Sequence, residues 1–289
     1  MKQLNLFIEI TRLKKPIGFM LLFWPCAWGL TLAYDFSNNL NNYFFYLSLF
    51  FLGSVLMRSA GCIINDISDK EFDKKVLRTK QRPIASGKLS VKLAIFYALV
   101  LCLLALIVLI NFNTFTIIMA LGSMPLAFTY PLMKRYTYWP QLFLGITFNY
   151  GLMLGWTAIN DGLNISAIVF YFGAIFWTLG YDTIYGFQDI KDDEIIGLKS
   201  TSIKFKKNPK LFLLICYSLF IISLITVGVY MSFNYIFYFF MIFPFYHLIF
   251  YQMNNFNSLD SNECLRIFKS NNFLGFLILL NLIFGKISL

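Results

Sequence analysis

Charged side chains are scarce in this chain: only 13% of its 289 residues are Asp, Glu, Lys or Arg, against ~25% in an ordinary soluble domain. Acidic residues are the rarer kind, 14 against 24 basic ones. The five cysteines, Cys26, Cys62, Cys102, Cys216 and Cys264, form no C-x-x-C pair, and all but Cys264 lie in apolar segments. They read as small packing residues, which argues against a disulfide framework and against a zinc site. Histidine occurs once, as His247, among Phe and Tyr, and reads as a packed imidazole rather than a ligand. Internal repeats and low-complexity tracts are missing, apart from a general richness in aromatics.

What fills the chain is apolar. Hydrophobic residues make up 58% and aromatic ones 19%, with a mean hydropathy of +0.67. Runs close to the ~20 residues that cross a bilayer recur along the whole length, so the expected class is all-α, an integral membrane bundle embedded in lipid. Nine spans are expected, near 16–34, 43–65, 91–110, 114–133, 138–159, 166–188, 211–230, 233–251 and 272–288. The first lacks a small-residue cleavage site and reads as a retained helix rather than a signal peptide. Residues 1–14 read as an amphipathic helix on the membrane surface, with Leu4, Phe7, Ile8 and Ile10 or Thr11 toward lipid. Pro125, Pro131 and Pro140 are expected to kink or start helices and carry no chemistry.

The basic residues are distributed by loop. Four Lys or Arg precede the first span, seven follow the second, two the fourth, six the sixth and two the eighth, whereas the loops after spans 1, 3, 5 and 7 carry none. The positive-inside rule then puts the N-terminus and the even-numbered loops in the cytoplasm. The net charge of +10 is thereby explained by topology, without nucleic acid as a partner.

Two polar stretches interrupt this pattern. Asn65 to Gly87 follows an apolar run and contains Asp66, Asp69 and Asp73 at i, i+3 and i+7, one face of a helix. Such a cluster repels itself unless a cation enters it, and hard oxygen ligands suit Mg²⁺ or Ca²⁺. The cations beside it, Lys74, Lys75, Arg78, Lys80 and Arg82, suit a strongly anionic ligand. The second stretch, Tyr181 to Ser202, holds Asp182, Asp189 and Asp193 near one stripe, Asp192 to its side, with Lys191, Lys199 and Lys204 as cations. Both stretches end even-numbered spans, so both face the cytoplasm as two walls of one pocket. The expected ligand is a metal-chelated diphosphate on a hydrocarbon tail, lodged in a central cavity open to the cytoplasmic side. Arg58, two helical turns before Asn65, is an intramembrane cation suited to hold a carboxylate deeper in that cavity. Lys134 and Arg135 follow span 4 as topology-setting charges or phosphate ligands.

At these stretches the chain resembles the UbiA superfamily of intramembrane prenyltransferases. Its N-D-x-x-D-x-x-x-D motif is matched by Asn65, Asp66, Asp69 and Asp73, and its second D-x-x-x-D pair by Asp189 and Asp193. The runs Arg12 to Pro25, Met57 to Asp66, Arg78 to Gly87 and Tyr181 to Asp193 resemble the bacterial branch that prenylates 4-hydroxybenzoate, and the likeness extends to Asn271, Asn272 and Gly275. The resemblance implies a single prenyltransferase domain over 1–289, nine spans, dependence on Mg²⁺, and a role in ubiquinone synthesis at the bacterial inner membrane. It implies that Asp66, Asp69, Asp73, Asp189 and Asp193 hold Mg²⁺ and perform the catalysis. Asn65, Arg78, Arg82, Lys134, Arg135, Asp182 and Lys199 are then expected around a polyprenyl diphosphate, with Arg58 on the carboxylate of 4-hydroxybenzoate. Another quinone precursor or haem is the alternative acceptor. A cation transporter, the alternative from another class, would hold its carboxylates near the midplane without so many neighbouring cations.

Overall fold

The computed structural model describes residues 2–287, and every regular element among them is helical. In chain order the principal helices are α1 (Lys2–Thr11), α2 (Ile17–Ala33), α3 (Leu40–Ser68), α4 (Val91–Leu109), α5 (Thr114–Tyr136), α6 (Pro140–Thr157), α7 (Ile165–Gly186), α8 (Pro209–Tyr230), α9 (Tyr235–Asn255) and α10 (Ser261–Lys286). Among the described residues seven of these, α3, α4, α5 and α7 to α10, are long and apolar enough to cross a membrane. Helix α2 is apolar but has only 17 residues. Gln141, Asn149 and three glycines dilute the apolar character of α6.

The short connections show why the helices start where they do. Asn39, Asn113, Asn164 and Asn234 close the four loops that carry no Lys or Arg, and each accepts a hydrogen bond from a backbone N–H in the first turn of the next helix. Each satisfies a donor that the helix itself cannot. The opposite problem, unpaired carbonyls at the end of α2, is solved by Lys286. Its Nζ donates to the Thr31, Leu32 and Tyr34 carbonyls at 3.1, 2.8 and 2.5 Å.

The core lies between α2, α6, α7, α8 and α10. Trp28 is fully buried, with its ring 5.0 Å from Trp177 and 5.4 Å from Phe170, and its indole N–H donates to the Gly275 carbonyl at 3.0 Å. Helices α2 and α6 approach closely because glycines line the crossing. A Cβ placed on Gly29 would fall 1.9 Å from the Leu152 carbonyl oxygen, and one on Gly155 2.2 Å from that of Cys26. Membrane helices, lacking a hydrophobic drive to associate, gain from such close packing. The outer surface is apolar: Leu99, Leu103 and Ile107 on α4 and Ile222 and Val229 on α8 are all exposed, as lipid contact requires.

The expected spans agree with the helices to within a few residues except at the two ends that matter most. Helix α3 continues through Asn65 and Asp66 to Ser68, carrying the first motif directly on a span. Helix α10 begins eleven residues before the expected 272, at Ser261, capped by Asp260. Its first turns, SNECLRIFKSNN, are too polar to register as membrane-spanning.

Candidate active site

The first motif does not form one continuous helix. Helix α3 stops at Ser68, Asp69 turns the chain (φ −96°, ψ 5°), and a short helix, Lys70–Asp73, follows. The break still leaves Asp66, Asp69 and Asp73 all buried, at 2, 2 and 6% exposure. The second motif is broken in the same way: Asp182 stays on α7, while Asp189 precedes a second short helix, Ile190–Ile195, that holds Asp193. Asp182, Asp189 and Asp193 therefore do not share a single helical stripe.

The two motifs meet across a cavity of about 240 Å³. Asn65, Asp69, Asp73, Arg78 and Arg82 line it from one side, Asp182, Asp189, Asp193 and Lys199 from the other, with Lys134 and Tyr130 between. Four of the five motif aspartates face a cation contributed from elsewhere in the chain. Arg12 approaches Asp66 Oδ1 at 2.5 Å, and Arg82 reaches the same oxygen at 3.1 Å while holding Asp73 at 2.8 Å. Lys134 pairs with Asp69 at 2.5 Å. Arg78 grips Asp189 with two nitrogens, Nε at 2.7 Å and Nη2 on the second oxygen, and so ties the two motifs together. The bidentate geometry is the strong form of this interaction.

The fifth, Asp193, has no ion pair among the described residues. Burial, with the charge of Asp189 adding to it, pushes its carboxyl up to about 6. Burial likewise raises Asp69 above the ordinary carboxylate range, with Lys134 opposing. Asp69 Oδ1 is buried without a hydrogen-bond partner, although Arg135 lies 3.9 Å away.

Three expected site residues do not line the cavity. Asp66 sits behind it, screened by Arg12 and Arg82. Arg135 donates to the Ser68 carbonyl at 2.5 Å and lies 5.1 Å from the Phe72 ring centroid, so it fastens the end of α3. Arg58 lies deeper, 5.4 Å from the Phe148 ring centroid, and its Nε is buried without a partner. Lys199 is at the rim, with Nζ 3.2 Å from the Tyr136 carbonyl. The structure adds residues that the sequence pattern did not single out. Arg12, from the connection between α1 and α2, reaches Asp66 from behind the cavity and does not itself line it. Tyr185 accepts from Arg78 at 3.4 Å, and Tyr130 lines the cavity toward Arg58. Their spacing carries no motif; the long-range pairing that recruits them is visible only in three dimensions.

The donor set fits a hard divalent cation in its chemistry: five carboxylates, one with an orphaned buried oxygen, and no sulfur or imidazole. Among the described residues no three acidic, Cys or His side chains stand close enough to cage an ion. The aspartates are neutralised by guanidinium and ammonium groups instead. An ion entering such a site competes with those side chains for the carboxylates.

A membrane-embedded helical bundle with paired acidic motifs around a basic cavity defines the class of protein. Residues 22–279 match the UbiA prenyltransferase family, and the chain belongs to that family. It is 47% identical over 216 residues to "4-hydroxybenzoate polyprenyltransferase, mitochondrial" of Rattus norvegicus, covering 73% of this chain and 56% of the relative. The Homo sapiens protein of the same name is 46% identical over 213 residues, covering 72% and 56%. That of Drosophila pseudoobscura pseudoobscura is 39% identical over 292 residues, covering 97% and 70%. The match thus spans little more than half the length of the first two relatives. In fold the chain is similar to a UbiA homolog from Aeropyrum pernix K1, with TM-score 0.76 and 22% identity over 92% of this chain and 98% of that one. It is also similar to a UbiA homolog from Archaeoglobus fulgidus bound to GPP and Mg²⁺, with TM-score 0.71 and 18% identity over 97 and 98%.

Proposed function

We propose that this chain transfers a polyprenyl group from polyprenyl diphosphate to 4-hydroxybenzoate, at the ring carbon ortho to the hydroxyl, in ubiquinone biosynthesis. The observation that carries the reading is the Arg78–Asp189 clasp across a cavity walled by two acidic, cation-laced motifs. The names of relatives 39 to 47% identical support the acceptor.

Mg²⁺ held among Asp66, Asp69, Asp73, Asp189 and Asp193 would supply positive charge against the leaving diphosphate. Arg78, Arg82, Lys134 and Lys199 bind its oxygens, Asn65 and Asp182 line the same space, and Arg135 keeps the end of α3 in place. The allylic C–O bond breaks and diphosphate leaves with the electron pair. The phenol ring, anchored through its carboxylate by Arg58, attacks the allylic carbon to form the new C–C bond. The ring proton then passes to a motif carboxylate or to diphosphate, restoring aromaticity. The apolar helices keep water away from the cation.

This reading includes nine crossings in one domain. Helices α2 and α6, of 17 and 18 residues, are about 26 and 27 Å long at 1.5 Å per residue, close to the ~30 Å hydrocarbon core. It also includes a cytoplasmic N-terminus and cavity, supported by the alternation of basic and neutral loops, and residence in the bacterial inner membrane. The test is product formation by the protein in lipid nanodiscs, with geranyl diphosphate and a panel of aromatic acceptors. The expected product is geranylated 4-hydroxybenzoate, substituted ortho to the hydroxyl. Prenylation of a different acceptor, with 4-hydroxybenzoate untouched, would overturn the assignment.

A further inference from the structure

We propose that Arg12 is a diphosphate-binding residue, parked on Asp66 in this structure and released to the diphosphate when a divalent cation takes the Asp66 carboxylate. The inference rests on the reading of the site as one for a metal diphosphate. It concerns a residue from outside both motifs.

Arg12 and Arg82 converge on one buried oxygen, Asp66 Oδ1, at 2.5 and 3.1 Å. Arg82 has a second carboxylate, Asp73 at 2.8 Å; among the described residues Arg12 has no other ion pair. Two guanidiniums on one carboxylate leave a positive surplus, and Arg12 is the partner without a second carboxylate among the described residues. A dication sharing Asp66 would repel both arginines, and Arg82 keeps Asp73 to hold. Arg12 is therefore the cation displaced. A guanidinium is always charged and presents a planar fork that matches a phosphate bidentately, so the anion arriving with the metal is its natural next partner. Arg82, the other guanidinium on Asp66, lines the cavity, so the shared carboxylate lies directly behind the cavity wall.

The backbone is arranged to hold the residue at this spot. Ile10 and Thr11, expected toward lipid, are instead buried against the protein: Ile10 packs α1 into a cluster with Ala60, Ile63, Ile84 and Leu89, and the Thr11 hydroxyl donates to the Phe7 carbonyl at 2.7 Å. Arg12 follows with a φ of +57°. That conformation is uncommon for a residue with a side chain, and such strain gathers at working sites. A plain turn between α1 and α2 would be easier with glycine or asparagine there.

The test is calorimetry on the protein in nanodiscs, with Mg²⁺ alone and then with a non-ionising thiolo analogue of geranyl diphosphate at saturating Mg²⁺. Arg12→Gln removes a competitor for Asp66 and a ligand for phosphate, so its two effects have opposite signs. Mg²⁺ alone is expected to bind several-fold more tightly, and the analogue about tenfold to a hundredfold more weakly, the size of one lost charge-assisted hydrogen bond. Arg12→Lys is expected to show the same signs with smaller changes, and it carries the test if the glutamine variant does not fold. Weakening of both ligands would mark a merely structural role and overturn the inference. So would unchanged analogue binding in either variant. A wild-type protein that binds neither probe would instead overturn the reading of the site.

Discussion

Removing the amine of Lys134 would expose how the acidic walls of the site are stabilised. Its Nζ lies 2.5 Å from Asp69, whose side chain is only 2% exposed, and Arg135 at 3.9 Å is too far to replace it. Lys134→Met leaves a buried carboxylate without a close partner. Breaking a buried pair from one side costs about 3–5 kcal/mol; because Lys134 itself is 26% exposed, water recovers part of this, and about 2–4 kcal/mol is expected. For a chain of this size that lowers the unfolding temperature by roughly 3–7 °C. The Lys206–Glu194 pair is the control. Its side chains are 50 and 38% exposed, so Lys206→Met should shift stability by less than about 1 kcal/mol. The pH dependence follows from sign. Burial already raises the Asp69 carboxyl, and Lys134 opposes that rise, so the variant raises it further. A raised carboxyl favours the folded state in its protonated form. The deficit is therefore full above the variant's folded value and shrinks as the pH falls through it. Thermal unfolding in detergent, followed by near-ultraviolet circular dichroism at pH 7.5 and pH 5, reads both effects. Equal stability of Lys134→Met and wild type at pH 7.5, or a deficit that does not shrink toward pH 5, would refute this reasoning.

Three further outcomes are expected. Asp193, raised to about 6 by burial with the charge of Asp189 adding to it, must lose its proton to hold a metal, so the apparent Mg²⁺ affinity should fall as the pH drops below about 6; a flat titration between pH 5 and 7.5 would contradict this. Gly29→Ala drives a Cβ against the Leu152 carbonyl and should cost about 1–3 kcal/mol or more, whereas Gly122→Ala, with open space around it, should be near neutral in the same unfolding assay. Arg58→Ala should raise the KM for 4-hydroxybenzoate with little effect on that for the diphosphate, and an unchanged acceptor dependence would remove Arg58 from the acceptor site.

The sequence shows its membrane character and its two motifs plainly, because both are local. Apolar runs of about 20 residues report on lipid directly, and Asp66, Asp69, Asp73, Asp189 and Asp193 stand in short fixed spacings. What local pattern could not express is partnership. Periodicity puts each motif on one helical face, but Asp69 breaks the first helix and Asp189 begins a new one, and the carboxylates converge through chain reversals instead. Arg12 pairs with Asp66 from 54 residues away and Arg78 with Asp189 from 111, distances at which spacing carries no signal. Arg135 is the converse case: beside Lys134 its charge reads as topology-setting or phosphate-binding, and in the structure its guanidinium meets a backbone carbonyl and an aromatic face. The start of α10 escaped hydropathy because its first turns are polar and rely on the Asp260 cap.

The central claim is that two motifs more than a hundred residues apart form one site for a metal diphosphate. Calorimetric titration of the thiolo analogue of geranyl diphosphate, at saturating Mg²⁺, into wild type, Asp69→Asn and Asp189→Asn tests it directly. Wild type should bind, and each variant, one from each wall, should lose affinity by about tenfold or more while unfolding at close to the wild-type temperature. Wild-type affinity in either variant would mean that its motif stands outside the site.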